Sequence, residues 1–258
     1  MADNRSIFRK LLDLAGTIPI YGSFGILLII TCLTMPLFFL FSIFFPVGRV
    51  FRFVIHHVMR YLFFLLRITV PKTSLIIENH EMIKKLRSCI IVCNHLSMLD
   101  PIFIMSLNRE TITIVKNSLF KIPLFGWMMY FSGFFPNNMA DASEPTELVM
   151  AKIGKFLKQG GNLLIFPEGT RSVTGKPGNF RKGAFNLAIR LKVPIVCLQV
   201  QNSHLVQPKG YYCFRTNRGI AITLRVLTEI TGHLQNDYSF SQAKKLRDSV
   251  YKLYTAGV

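Results

Sequence analysis

The chain has 258 residues, enough for one full-sized domain with an appendage, and a formal net charge of +18. Half of its residues are hydrophobic and its mean hydropathy is +0.37, which predicts that part of the apolar surface faces lipid. A strongly basic chain is expected to meet an anionic partner, either nucleic acid or an anionic membrane. The 23 phenylalanines favour the membrane, because many lie in apolar runs such as residues 38–41.

Five cysteines lie along the chain, at Cys32, Cys89, Cys93, Cys197 and Cys213. Their number is odd and their spacing does not match a metal site. We therefore expect neither a disulfide framework nor a zinc site, which suits a reducing compartment. Cys89 and Cys93 lie in an apolar, strand-like run, where we expect small buried side chains.

Residues 1–70 are predicted to form membrane-anchoring helices. No charged residue occurs from Ile18 to Val47, which is long enough for a transmembrane helix and too long for a signal peptide. Pro36 and Pro46 can break or kink a helix, so this run either spans the membrane or enters one leaflet and returns. From Arg49 to Val70 the sequence is apolar and basic together. That pattern is typical of a helix at a membrane surface, although an amphipathic helix packed on the domain would share it.

Residues 71–258 are predicted to form an α/β domain with a mixed, largely parallel sheet flanked by helices, because short apolar strands alternate with helical segments. The predicted strands cover residues 74–78, 88–93, 111–115, 163–166, 194–200 and 220–226. Predicted helices follow Asp100 and cover residues 146–159, 180–191 and 241–254, and Gly160 is expected to end the second of them.

A histidine and an aspartate follow the predicted strand that ends at Cys93, in the segment Asn94-His95-Leu96-Ser97-Met98-Leu99-Asp100-Pro101. Ligands bind at the carboxyl ends of strands in open α/β sheets, and Asp100 before Pro101 is predicted to be a helix N-cap. A carboxylate on one nitrogen of His95 would leave the other nitrogen to act as a general base. The spacing alone also allows the ordinary alternative, in which Asp100 only caps a helix and His95 only packs.

A second polar turn follows another buried strand, in the segment Phe166-Pro167-Glu168-Gly169-Thr170-Arg171-Ser172. Gly169 permits positive φ or close backbone approach, and Arg171 carries a guanidinium group that matches a phosphate. Glu168 is expected either to pair with Arg171 or to hold the turn. A salt-bridged turn without a ligand is the alternative.

Together the two segments resemble the glycerophospholipid acyltransferases, and most closely the 1-acyl-sn-glycerol-3-phosphate (lysophosphatidic acid) acyltransferases. The resemblance runs from about residue 75 to residue 230, and residues 116–127 and 193–196 are similar to two further blocks of that family. It implies that His95 is the catalytic base and Asp100 its catalytic partner, and that Lys116 and Arg171 hold the acceptor phosphate. The substrate-binding residues that it implies are Asn94, Lys116, Glu168, Gly169, Thr170 and Arg171.

The resemblance also implies an O-acyltransferase of phospholipid biosynthesis. Such an enzyme would move a fatty acyl chain from acyl-CoA or acyl carrier protein to the free hydroxyl of a lysophospholipid, with 1-acyl-sn-glycerol-3-phosphate as the leading acceptor and phosphatidic acid as the product. Neither a metal nor a bound cofactor is expected. The expected location is an inner, cytoplasmic or other intracellular membrane, with the catalytic domain facing the cytoplasm.

Two departures from the family pattern keep other acceptors open. Ser118 stands where the second block usually has an acidic residue, and residues 133–138 lack the arginine that usually ends it. Another lysolipid, such as a lyso-aminolipid, is therefore an alternative acceptor. A catalytically silent lipid-binding protein of the same fold is an alternative function. Nucleic acid is not an expected partner, because no recognisable nucleic-acid motif accompanies the charge.

Overall fold

The structure is a computed structural model that describes residues 7–41, 43–44, 46–70, 72–137, 147–215, 219–235 and 239–256. These residues form a seven-stranded mixed sheet with helices against it. The predicted fold class, a largely parallel sheet flanked by helices, is confirmed.

The sheet places the carboxyl ends of four neighbouring strands at one edge. Its strands are β1 (Thr73–Ile77), β2 (Ile90–Cys93), β3 (Thr111–Val115), β4 (Phe135–Pro136), β5 (Asn162–Ile165), β6 (Ile195–Gln201) and β7 (Ile220–Ile230). They are ordered β1-β7-β6-β2-β5-β3-β4, and β6, β2, β5, β3 and β4 are parallel. β7 is antiparallel to β6, and β1 is parallel to β7. The loops after β6, β2, β5 and β3 therefore meet.

The described helices include several that the sequence pattern did not predict. In chain order the described α-helices are α1 (Ile7–Leu33), α2 (Met35–Phe41), α3 (Val47–Thr69), α4 (His80–Lys85), α5 (Leu99–Leu107), α6 (Asn117–Phe120), α7 (Phe125–Ser132), α8 (Glu147–Lys158), α9 (Gly183–Leu191), α10 (Ser203–Val206) and α11 (Phe240–Thr255). Helices α4, α6, α7 and α10 were missed, because one or two turns are too short for a clear helical period. Gly160 has φ +88° just after α8 and ends it as predicted. The predicted first residue of this helix, Thr146, lies outside the described residues.

The uncharged run from Ile18 to Val47 is divided among three helices. Helix α1 ends at Leu33, and Pro46 directly precedes α3, where a missing N–H costs no helical hydrogen bond. Within the described part of the chain, α1 is the one helix that is long and apolar enough to cross a membrane. Whether it spans or re-enters stays a prediction, and residues 42 and 45 of the run lie outside the described residues.

Helix α3 is amphipathic and packs against α5 and α7. Its buried residues recur every three or four positions, as one helical face requires: Phe51, Ile55, Val58, Leu62 and Leu66. The opposite face is exposed, aromatic and basic, with Phe53, His57, Arg60, Tyr61, Phe64, Arg67 and Ile68. Packing on the domain explains the apolar residues of the buried face. Contact between the exposed face and a membrane stays a prediction.

Both faces of the sheet are buried. Ile90 and Val92 of β2 pack in one apolar cluster with α8 and α9, whereas Ile91 and Cys93 pack in a second cluster with α3 and α5. This alternation follows the two-residue period of a strand. Covering by helices on both faces explains the continuous apolar strands and leaves the polar groups to the loops at the strand ends.

The expectation that Cys89 and Cys93 are small buried side chains is confirmed. Their relative exposures are 1% and 0%. Burial raises the pKa of Cys89 to about 12, so its thiol stays protonated at neutral pH.

Candidate active site

The predicted site residues follow the carboxyl ends of adjacent parallel strands. His95 comes two residues after β2, Glu168 follows β5, and Lys116 directly follows β3. Ser203 lies two residues after the neighbouring strand β6. Since these strands run side by side in the same direction, their loops form one polar edge of the sheet.

His95 and Asp100 meet, as their placement between a strand and a helix predicted. The Nδ1 atom of His95 lies 3.0 Å from Oδ2 of Asp100, and the side chain of His95 is 19% exposed whereas that of Asp100 is 0% exposed. A buried carboxylate at this distance favours the tautomer with the proton on Nδ1, which leaves a lone pair on Nε2. The pair therefore has the arrangement of a general base and its orienting acid.

Asp100 is not the N-cap that the sequence predicted. Helix α5 begins at Leu99 with Met98 as its N-cap, so Asp100 is the second helical residue. Its Oδ2 atom accepts hydrogen bonds from the backbone N–H groups of Leu96 at 2.6 Å and Ser97 at 2.7 Å. The prediction was wrong because this carboxylate accepts hydrogen bonds from the backbone of the loop before the helix, and that loop carries His95.

Glu168 joins the second motif to the first. Its Oε1 atom accepts a hydrogen bond from the backbone N–H of His95 at 2.9 Å, and its Oε2 atom accepts one from Gly178 at 3.0 Å. The N–H of Ser172 donates to the carbonyl of His95 at 2.7 Å. Burial raises the pKa of Glu168, while the two N–H donors act to lower it. Of the two expectations for Glu168, the structure supports the one in which it holds the turn.

Gly169 meets both reasons given for a glycine at this position. Its φ is +67°, and a Cβ atom built there would lie 2.7 Å from Cζ of Arg181. The turn also carries Phe166, whose ring stacks on that of His95 with centroids 4.1 Å apart. The imidazole is thus held from one side by an aromatic ring and from another by Asp100.

A cavity of about 770 Å³ lies beside His95. Its polar wall includes the predicted residues Lys116, Gly169, Thr170 and Arg171. The other walls are mostly apolar side chains from α1, α3, α5, α7 and α9. The volume is within the usual range for a small-molecule site, and its chemistry suits a ligand with an anionic group and a long apolar chain.

Asn94 lies apart from this cavity. Its side chain is 2% exposed. Its Nδ2 atom donates to the carbonyl of Val200 and its Oδ1 atom accepts from the N–H of Val200, both at 2.8 Å. The geometry therefore gives Asn94 a place between β2 and β6 and does not support the predicted contact with substrate.

Several cavity residues were not found from the sequence. Arg181 lines the cavity, and its backbone N–H donates to the carbonyl of Pro167 at 2.7 Å. Tyr21 of α1 also lines it and accepts a hydrogen bond from Nε2 of Gln207 at 3.1 Å. Arg181 and Lys182 form a basic pair directly before α9, and this pair was a usable signal for Arg181. No local pattern marks Tyr21 or Gln207, which reach the cavity only through tertiary packing.

Comparison with known proteins finds acyltransferases over the region that contains this site. A family model described as Acyltransferase matches residues 74–201, which contain both motifs. A Saccharomyces cerevisiae 1-acyl-sn-glycerol-3-phosphate acyltransferase is 37% identical over 166 residues, or 62% of this chain and 54% of that protein. A chloroplastic 1-acyl-sn-glycerol-3-phosphate acyltransferase of Brassica napus is 34% identical over 122 residues, or 47% of this chain and 35% of that protein. The chain thus spans about half or less of these relatives' length.

A solved structure shares the architecture. The crystal structure of a 1-acyl-sn-glycerophosphate acyltransferase from Thermotoga maritima has a TM-score of 0.75 and covers 96% of this chain and 95% of that chain. The two sequences are 22% identical, so the likeness is evidence for the fold.

Proposed function

Because the chain belongs to the acyltransferase family, we propose that it transfers a fatty acyl chain from an acyl thioester to the free hydroxyl of a lysophospholipid. The proposed acceptor is 1-acyl-sn-glycerol-3-phosphate and the proposed product is phosphatidic acid. The observation that carries this proposal is the His95–Asp100 pair, 3.0 Å apart, beside a cavity with one basic wall and apolar walls elsewhere.

Proton transfer through His95 accounts for the chemistry. Nε2 takes the proton of the acceptor hydroxyl as its oxygen attacks the thioester carbonyl, and the carboxylate of Asp100 steadies the imidazolium that forms. The tetrahedral intermediate then collapses to the ester, the C–S bond breaks, and the thiolate receives the proton from His95. Phe166 and Glu168 hold the imidazole and its backbone in place during both steps.

The basic wall supports an anionic acceptor. Lys116 and Arg171 line the cavity together with His95, and Arg181 adds a third cationic side chain. A guanidinium group matches two phosphate oxygens at once, whereas an ammonium group acts as a compact charge. We assign the acceptor phosphate to this wall and the acyl chain to the apolar walls.

A second acceptor class follows from the altered second block. Ser118 and residues 133–138 lack the acidic residue and the arginine that the family usually carries there. A lyso-aminolipid is therefore the second candidate, with either acyl-CoA or acyl carrier protein as donor.

The proposed location is a membrane. Helix α1 is long and apolar enough to span one, and the exposed face of α3 combines aromatic and basic residues. Orientation, with the catalytic domain toward the cytoplasm, remains part of this proposal.

The test is turnover by purified protein with a panel of lysolipid acceptors and both thioester donors. His95→Ala should lose about 10²- to 10⁴-fold in turnover, the usual contribution of a general base, while its melting temperature stays near that of the wild type. His80→Ala, at an exposed histidine of α4, is the matched control. Full turnover by folded His95→Ala would contradict the mechanism, and lipid binding without turnover by the wild type would favour the silent alternative.

A further inference from the structure

We propose that Ser203 is a positioning residue for Asp100, so that proton transfer depends on three linked side chains: His95, Asp100 and Ser203. The inference rests on the proposed function and deepens it. The Oγ atom of Ser203 donates to Oδ1 of Asp100 at 2.5 Å. Both side chains are buried, with relative exposures of 1% for Ser203 and 0% for Asp100. A hydrogen bond to a buried carboxylate is short and strong.

The two carboxylate oxygens of Asp100 have separate partners. Oδ2 faces Nδ1 of His95 and accepts from the backbone N–H groups of Leu96 and Ser97. Among the described residues, the hydrogen bond to Oδ1 comes from Ser203. A buried charged oxygen without a donor is costly, so Ser203 holds the Oδ1 side of the carboxylate while the backbone N–H groups of Leu96 and Ser97 hold the Oδ2 side.

The fold places Ser203 through two asparagines. Asn94, directly before His95, forms two hydrogen bonds with the backbone of Val200 and so fastens the end of β6 to the end of β2. Asn202 then turns the chain with φ +65°, a conformation that asparagine tolerates, and its Nδ2 donates to the carbonyl of Ala221 at 2.9 Å. Ser203 begins α10 directly after this turn. The position of its hydroxyl is therefore tied to the strand that carries His95.

Loss of the hydroxyl has a signature that loss of packing lacks. The hydroxyl shares the negative charge of the carboxylate, and without it more of that charge acts on the imidazolium. The titratable groups around Asp100 are His95, Cys93, Glu168 and His204, and Arg215 faces His204. All of them remain in Ser203→Ala. We therefore expect the acidic limb of the pH dependence of kcat/KM to move to higher pH.

The experiment compares Ser203→Ala with Ser203→Thr and with Ser132→Ala in the full-length chain. Ser132 is a matched control, because it is also buried, with a relative exposure of 0%, and its hydroxyl donates to the backbone carbonyl of Met128 at 2.6 Å. Ser203→Ala should lower kcat about tenfold to a hundredfold, as expected for one hydrogen bond to a charged group. The KM for the acceptor should stay unchanged, because Ser203 does not line the cavity. Ser203→Thr keeps the hydroxyl and should recover most of the rate.

The melting temperature of every variant shows whether a loss of kcat comes from a loss of folding or from a loss of positioning. If Ser203→Ala does not fold, Ser203→Cys carries the same expectation, since a thiol fills the site but is a weak donor. A folded Ser203→Ala or Ser203→Cys variant that matches Ser132→Ala in kcat and in the position of the acidic limb would overturn the inference. Turnover by folded His95→Ala would instead overturn the proposed function, so the two failures are distinguishable.

Discussion

The carboxylate of Glu168 accepts a hydrogen bond from the backbone N–H of His95 at 2.9 Å, although 73 positions separate the two residues. The second motif is therefore part of the scaffold of the proposed base as well as a neighbour of the cavity. The other carboxylate oxygen of Glu168 accepts a hydrogen bond from the backbone N–H of Gly178 at 3.0 Å, and this bond closes the loop after β5.

Glu168→Gln should weaken both activity and stability. An amide nitrogen cannot accept a hydrogen bond, so one of the two N–H groups, that of His95 or that of Gly178, is left unpaired. We expect the free energy of unfolding to fall by about 1–3 kcal/mol and kcat/KM to fall about tenfold. Denaturant unfolding and steady-state kinetics measure these changes, with Glu229→Gln on the exposed side of β7 as control. Wild-type values in both assays would contradict this role of Glu168.

The stability that Glu168 contributes should depend on pH. Burial raises its pKa above the ordinary value of 4.5, so the folded state binds its proton more readily than the unfolded state. The proton-linked part of this contribution is therefore complete below the unfolded pKa and is lost as pH rises through the folded pKa. The difference in unfolding free energy between wild type and Glu168→Gln should grow as pH is lowered toward about 4.5. Denaturant unfolding across this range tests the sign, and a difference that shrinks would refute it.

Arg171→Ala should act on the acceptor. A phosphate that loses a bidentate partner is bound more weakly, so we expect the KM for lysophosphatidic acid to rise about tenfold to a hundredfold. Arg171→Lys should recover only part of this, since it keeps the charge but loses the planar fork. The exposed Arg87→Ala is the control. An increase confined to the KM for the thioester donor would assign Arg171 to the other substrate.

Met105→Trp should change the preferred acyl chain length. Met105 is 4% exposed, lines the cavity and lies five residues after Asp100 on α5, about 7.5 Å along the helix axis. A larger side chain would fill the apolar part of the cavity, so kcat/KM should fall for long donors and hold for short ones. Competition between donors of different length measures this, with Met105→Leu and the exposed Met82→Trp as controls. An equal loss for every donor would place the acyl chain elsewhere.

Phe64→Ser should weaken binding to lipid vesicles. Phe64 is 58% exposed on the face of α3 that also carries Arg60 and Arg67. Burial of a phenylalanine side chain contributes about 1.5–3 kcal/mol, so the affinity for anionic vesicles should fall by at least about tenfold. Vesicle sedimentation at several salt concentrations measures it, and Leu253→Ser on α11 is the control, at 43% exposure. An equal effect of both substitutions would argue against α3 as the contact face.

Long periodic elements and strand-end motifs were predictable because their signals are local. The strand over residues 111–115 and the helices α8 and α11 are found within a residue or two of the predicted bounds. His95 and Glu168 each follow a predicted strand, and the parallel sheet brings the ends of those strands to a single edge. The N-cap prediction for Asp100 failed because a local capping pattern cannot show that the same carboxylate is needed by the preceding loop.

What the amino-acid sequence alone determined is the alternation of strands and helices, the apolar N-terminal run and the chemistry of the two motifs, since periodicity and residue type are properties of neighbouring positions. Only the tertiary structure decided that Glu168 supports the backbone of His95, that Ser203 meets Asp100 and that Asn94 belongs to the sheet. Each of these contacts joins residues more than seventy positions apart. Strand order and register set such contacts, and neither is encoded within a short window of sequence.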